Sequence, residues 1–233
     1  VAEVEDKLTV PWSHEQVREA VSEVLELAEE GSLYTEDIYE SYIDQFKNRQ
    51  TVVKALCLHI AHDCNLACQY CFAEEGEYHG RRALMSFEVG KKALDFLVKN
   101  SGNRINLEVD FFGGEPLMNW QVVKDLVAYG RSLEEPFHKK FRFTLTTNGV
   151  LLNDEVLEFV NREMSNVVLS IDGRKEVHDK MRPFRGGQGS YDLIVPKFRK
   201  VAESRGQMNY YVRGTYTRNN LDFSKDVEHL ADL

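Results

Sequence analysis

Residues 105–127 read INLEVDFFGGEPLMNWQVVKDLV. From Ile105 to Phe112 apolar and polar side chains alternate, the period of a strand with one buried face. Gln121–Tyr129 has the pattern of a helix, with Asn119 as its expected N-cap. Gly113-Gly114-Glu115-Pro116 joins the two. Paired glycines at the end of a strand let a ligand approach the backbone closely, and Glu115 offers a carboxylate suited to an ammonium group. The tetrapeptide alone is equally a turn sequence.

Moving outward from this unit, strand and helix patterns alternate through residues 51–233. Val52–Ile60 reads as a strand and Phe87–Val98 as a helix capped by Ser86. Phe141–Thr147 is a strand ended by Asn148-Gly149, and Asn153 caps a helix to about Arg162. Val167–Ile171 is a short strand. Ser190 opens a helix to about Ser204 that Pro196 is expected to break or kink. Tyr210–Thr217 is a fifth strand, and a last helix starts near Asp222. Such alternation predicts an α/β fold with a parallel sheet and right-handed crossovers. Five units fit either an open doubly wound sheet or part of a barrel, since eight would need about 250 residues. The pattern stops inside a helix at Leu233, so a C-terminal truncation is expected.

Charge separates a different segment. Residues 1–50 hold 13 Asp/Glu against 4 Lys/Arg, whereas residues 51–233 hold 25 of each. The whole net charge of −9 therefore lies in the first fifth of the chain, and a domain boundary is expected near residue 50. Ser13 and Gln16 form a capping-box signature after Pro11. Val17, Val21, Val24, Leu25 and Leu27 follow at roughly helical spacing up to Gly31, and 34–46 reads as a short helix or irregular connection. This segment is either an acidic solvated helix pair or a peptide-docking face. The acidic balance argues against a nucleic-acid partner. No apolar run approaches the roughly 18 residues of a membrane span, and no signal peptide opens the chain.

Three of the four cysteines fall within CNLACQYC, as Cys64, Cys68 and Cys71, directly after the first strand. Clustered thiols without a disulfide framework suggest metal or cluster binding in a reducing compartment, hence the cytoplasm. A structural zinc site wants four ligands, which only His59 and His62 could complete. A three-cysteine cubane cluster leaves one iron open for a small molecule. Cys57 reads as a small buried hydrophobe.

CxxxCxxC after the first strand with GGEP after the second resembles the radical S-adenosylmethionine enzymes. The likeness extends from about Val52 to Thr217 and includes Tyr70 before the third cysteine. It implies a partial TIM-type (β/α) barrel. It also implies that Cys64, Cys68 and Cys71 hold a 4Fe-4S cluster whose open iron binds S-adenosylmethionine. Gly113, Gly114 and Glu115 would then meet the ammonium group. TTNG, with Thr147 and Asn148, would line the site. In SIDG, Ser170 would lie on the carboxylate side and Asp172 on the ribose side. Arg182 in HDKMRPF and Arg213 are the candidate carboxylate cations.

More finely, CNLACQYCFAEEGEYHGRRALMS is similar to the thioether-forming maturases of Cys-rich ranthipeptides (SCIFF peptides). That likeness implies a ribosomally synthesised Cys-rich precursor peptide as partner and an electron donor such as flavodoxin or ferredoxin. Residues 1–50 would be part of a winged-helix peptide-recognition domain. Auxiliary 4Fe-4S clusters would belong to the missing C-terminal part. The competing expectations are a sulfatase-maturase-like oxidation of a Cys or Ser side chain, and a zinc-stabilised binding module without catalysis.

Overall fold

The computed structural model describes residues 2–8, 12–47 and 51–233. Pro11 lies outside the described residues, as does residue 50, where the charge change puts the boundary. The chain divides into two compact units, Val1–Thr51 and Val52–Leu233.

The first unit holds α1 (Ala2–Leu8), α2 (His14–Glu29) and α3 (Ile43–Lys47), the last preceded by a 3-10 turn at Glu40–Tyr42. The capping box is formed: Gln16 N–H donates to Ser13 Oγ at 3.2 Å and Ser13 N–H to Gln16 Oε1 at 3.0 Å. Only Val17 of α2 is buried; Val24, Leu25 and Leu27 stay exposed. Val4, Leu8 and Trp12 join Val17, Val21 and Leu25 around an apolar groove of about 660 Å³.

The second unit is a six-stranded sheet. Its strands are β1 (Ala55–His62), β2 (Ala83–Leu84), β3 (Asn106–Gly113), β4 (Lys140–Thr147), β5 (Met164–Ser170) and β6 (Tyr210–Arg213), in the spatial order β2-β1-β3-β4-β5-β6. All pairs are parallel except the short β1–β2 edge. The helices are α4 (Phe87–Asn100), α5 (Trp120–Phe137), α6 (Asp154–Glu163), α7 (Lys175–Met181), α8 (Tyr191–Ser204) and α9 (Phe223–Asp232).

Strand order resolves the choice between sheet and barrel. A doubly wound sheet reverses its order at a switch point; here the parallel strands run in sequence order without reversal. Right-handed crossovers then put the helices on one face, as in a barrel that has not closed. Leu58, Ile60, Leu107, Val109, Phe111, Phe141, Phe143, Leu145, Val167 and Leu169 face those helices as a single core. Phe111, Phe143 and Phe141 stack across β3 and β4 with ring centroids 5.6 Å apart. Gly130 of α5 sits directly on this stack, where a Cβ would lie 2.7 Å from Phe143 Cζ.

The opposite face is polar. Cys57, Asp110, Thr144 and Asn166 form one row across it, and Ser170 pairs with Arg213. Cys57 is therefore exposed, not the buried hydrophobe expected, because Leu58 takes the core-facing register on either side of which the pleat turns outward.

One expectation is narrowed and another corrected. Helix α8 runs through Pro196 without ending there; a proline near the helix start forfeits one backbone bond, which the buried Ile194, Val195 and Phe198 around it offset. Asn119 makes no capping bond. Its Nδ2 donates instead to Ile60 O at 3.0 Å and Met85 O at 2.9 Å, tying β1 to the chain after β2. A 3-10 turn at Pro116–Asn119, capped by the Glu115 side chain, leads into α5 in its place. The caps at Ser86 and Asn153 are formed.

Phe143→Ala empties the centre of the ring stack. It is expected to cost about 3–5 kcal/mol by urea denaturation, with no change in the far-ultraviolet circular dichroism of the folded state.

Candidate functional site

All five parallel strands deliver their C-terminal ends to one rim, where ligands of α/β sheets collect. The loop after β1 carries Cys64, Cys68 and Cys71. It is fixed by contacts that sequence spacing does not reveal. Ala67 N–H donates to Pro183 O and Gln69 N–H to Met181 O, both at 2.9 Å, and Leu66 bridges to Phe184. Arg185 Nη2 donates to Cys64 O at 2.7 Å and Asp63 Oδ1 at 3.1 Å, and its Nε pairs with Glu75.

The loop closes over a cleft of about 270 Å³. Cys64, Cys68 and Cys71 line it together with Gly113, Gly114, Asn148, Ser170, Arg182 and Arg213. All three thiols are free of disulfides. Burial pushes the Cys64 thiol up to about 12, with the Glu115 charge adding to it. Burial also raises Cys68, against the pull of the Arg182 cation. Among the described residues no three His, Cys, Asp or Glu side chains converge as a set for a single metal ion. Three thiols spread around one cleft fit a multi-iron cluster better than one zinc ion, and His59 and His62 instead pack against the Tyr78 ring, at 4.7 and 4.8 Å.

The paired glycines are required by the chain's own backbone. A Cβ on Gly113, at φ +124°, would lie 2.5 Å from Ala61 O, and one on Gly114 2.1 Å from Asp63 O. Gly114 N–H donates to Ala61 O and Glu115 N–H to Asp63 O, at 2.8 and 2.9 Å. The close approach is thus by the start of the cysteine loop, with both glycines still facing the cleft.

Glu115 and Asp172 do not line the cleft. Glu115 is fully buried and accepts from Leu117 N–H (3.0 Å), Thr147 Oγ1 (2.8 Å) and Asn148 N–H (2.8 Å). It clamps the end of β3 to the end of β4. Burial pushes its carboxyl up to about 7, against these hydrogen bonds, which pull the other way. Asn148, held in this manner, turns its Nδ2 to Asn65 Oδ1 at 2.7 Å and to Cys64 Sγ at 3.7 Å.

Asp172, also fully buried, accepts from Tyr70 Oη at 2.6 Å and Thr215 N–H at 3.0 Å. Its Oδ2 lies 3.0 Å from Arg182 Nε. The Arg182 guanidinium stacks over the Tyr70 ring at 5.4 Å and is nearly buried. Arg213 reaches in from β6 over the Phe112 ring at 6.0 Å. The sequence reading missed His178, Ser190 and Arg185. The histidine sits inside the quoted HDKMRPF, but nothing in its spacing marks it as buried.

A family profile described as the Radical SAM superfamily matches residues 58–215. The radical SAM cyclopropyl synthase TigE of Paramaledivibacter caminithermalis is 26% identical over 193 residues, 77% of this chain and 39% of that protein. The cysteine-type anaerobic sulfatase-maturating enzyme of Clostridium novyi is 27% identical over 161 residues, 67% of this chain and 42% of that one. A solved structure, native anSMEcpe with bound AdoMet and Cp18Cys peptide, superposes with a TM-score of 0.67 at 22% identity, covering 77% of this chain and 48% of its own. The chain thus spans less than half the length of each, and the two relatives carry different activities.

Glu115 generates a prediction of definite sign. An acid raised in the folded state favours folding below its unfolded value near 4.5, and that contribution is lost as pH rises through about 7. A carboxyl-13C NMR titration of glutamate-labelled protein is expected to show one glutamate titrating near neutrality, absent from Glu115→Gln. Glu115→Ala is expected to destabilise by roughly 1–3 kcal/mol for each buried donor it leaves unpaired, read by chemical denaturation.

Proposed function

Because this chain belongs to the radical SAM superfamily, we propose that its second unit is the S-adenosylmethionine-cleaving core of a peptide maturase that forms cysteine thioether cross-links. The observation that carries this reading is the convergence on one cleft of three free thiols, two glycines and a nearly buried arginine. The family works with a 4Fe-4S cluster and S-adenosylmethionine. When bound, these supply one electron to the sulfonium and a 5′-deoxyadenosyl radical able to abstract hydrogen.

Each wall of the cleft has its task. Cys64, Cys68 and Cys71 hold the cluster as thiolates. Gly113 and Gly114 receive the ligand's ammonium group at their backbone, and Ser170 and Arg182 receive its carboxylate. Among the described residues no hydrogen bond occupies the terminal nitrogens of Arg182, which leaves them for that purpose. Arg213 is the second cation on the same rim. Thr147 and Asn148 shape the strand-end between ammonium and cluster. Glu115 and Asp172 act from behind, the first on Asn148, the second on Tyr70 and Arg182. Tyr70 and Phe112 cover the cleft against water.

The similarity of CNLACQYCFAEEGEYHGRRALMS to thioether-forming maturases supports a Cys-rich ribosomal peptide as substrate. Thioether closure removes two hydrogens: one atom passes to the radical, and the other leaves the thiol as a proton with its electron taken by an oxidant such as an auxiliary iron–sulfur cluster. The first unit, with its acidic surface and apolar groove, is read as part of a peptide-recognition domain. A flavodoxin or ferredoxin would supply the reducing electron, which places the reaction in a reducing compartment such as the cytoplasm. Among the described residues no helix is long and apolar enough to cross a membrane. The sulfatase-maturating relatives favour a second reading, oxidation of a Cys or Ser side chain.

Anaerobic reconstitution is expected to load about four irons on three cysteines. The joint Cys64→Ala, Cys68→Ala, Cys71→Ala variant should lose that iron and Cys57→Ser should keep it. With a Cys-rich peptide and a reductant, mass spectrometry of the complete protein's product should show loss of two hydrogens per bridge and resistance of the bridged sulfur to alkylation. An aldehyde trapped by a hydrazine reagent would decide for the second reading.

Deleting the first unit from the complete protein is expected to weaken peptide binding in fluorescence anisotropy. It should leave the yield of 5′-deoxyadenosine without peptide unchanged.

A further inference from the structure

His178 is fully buried, as is Ser190 twelve residues on, and neither lines the cleft. The two side chains form a continuous line of hydrogen bonds behind it. Asp172 N–H donates to His178 Nδ1 at 3.3 Å. The other ring nitrogen, Nε2, lies 2.9 Å from Ser190 Oγ, and Ser190 Oγ donates to Arg182 O at 2.7 Å. The donors assign the tautomer. Nδ1 accepts, so Nε2 carries the proton and gives it to a hydroxyl whose own proton is already committed to a carbonyl. Burial, then the Arg182 charge, push the imidazolium down to about 4, so a neutral ring suits this line.

The line matters because of how Arg182 is held. Its Nε faces Asp172 as an ion pair, but that N–H makes no hydrogen bond among the described residues. The backbone of Arg182 is bracketed instead: its N–H donates to His178 O at 2.7 Å and its C=O accepts from Ser190. Arg182 is where α7 ends, with φ −127° and ψ 54°. Without Ser190 the carbonyl of a terminating residue would be buried beside the site with its partner gone.

We propose that His178 and Ser190 are positioning residues that aim the Arg182 guanidinium at the carboxylate of the bound sulfonium ligand, by joining the backbones of Asp172 and Arg182 through one buried imidazole and one hydroxyl. This rests on the reading of Arg182 as the carboxylate partner. Neither residue touches ligand or cluster; both act through Arg182. The ring sets the spacing between the end of β5, where Asp172 follows Ser170, and the end of α7. The hydroxyl, smaller than any capping alternative, fixes the arginine carbonyl. Ser190 precedes α8 without capping it, which frees its hydroxyl for this use.

The test compares two ligands on the same cluster-loaded preparation: S-adenosylmethionine, and its decarboxylated analogue, which keeps the nucleoside, the sulfonium and the amino group but lacks the carboxylate. Their affinity ratio measures carboxylate recognition and is insensitive to the fraction of protein that is folded. Ser190→Ala and His178→Phe are each expected to shrink that ratio by roughly ten-fold, the equivalent of about 1.4 kcal/mol, with the affinity for the decarboxylated analogue and the iron content unchanged. His178→Gln, whose amide keeps a donor near the Nε2 position, should restore most of the ratio. Should one lesion not fold, the other carries the test. A full ratio in Ser190→Ala or His178→Phe, alongside a collapsed ratio in Arg182→Ala, overturns the positioning role and leaves the Arg182 reading standing. A full ratio in Arg182→Ala overturns both.

Discussion

The site depends on one backbone junction. Where β1 ends, Ala61 O and Asp63 O accept from Gly114 and Glu115 N–H, and the chain passes so near Gly114 that a Cβ there would sit 2.1 Å from a carbonyl oxygen. Only at that distance does the cysteine loop leave the sheet directly above the ends of β3 and β4. The near side of the cleft follows from this placement. Glu115, carried inward by the same turn, reaches Thr147 and Asn148, and Asn148 in turn reaches the first cysteine. A steric constraint at two glycines is thereby passed through a buried carboxylate to a thiol.

On the far side of the cleft the corresponding element is Asp172. It gathers Tyr70 from the cysteine loop, Thr215 beyond β6 and Arg182 from the end of α7. The two acids have the same logic. Each is wholly buried, each spends its oxygens on the protein, and each holds in place the residues that do face the cleft. A charged ligand can then meet donors and cations whose positions are already set, with little reorganisation on binding.

How far the sequence revealed this follows from the range of the interactions involved. The β/α alternation, the caps at Ser13, Ser86 and Asn153, and the cysteine loop depend on residues within a few positions of one another, and all were legible. Strand order was not, since it rests on crossovers, and it is order that separates an open barrel from a doubly wound sheet. Asn119 had the look of a cap, yet its amide serves two carbonyls 59 and 34 residues away. Tyr70 and Asp172 meet across 102 residues. Glu115 and Asp172 were expected to face a ligand, but side-chain direction is decided by packing, and both spend their oxygens on the protein behind the cleft. His178 gave no signal at all, because a histidine's burial depends on what later segments bring over it.

The sheet is unequally protected along its width. Strands β3 and β4 bury every second residue, with Leu107, Val109, Phe111, Phe141, Phe143 and Leu145 almost wholly covered. Strand β6 has four residues, three of them exposed. Amide exchange should accordingly be slowest at the strands under the glycine pair and fastest at β6, where local opening needs little apolar surface to be uncovered. Ser170 and Arg213 are paired at that softer border. The cysteine loop is thus anchored at the well-covered strands, and Arg213 stands on the least covered one.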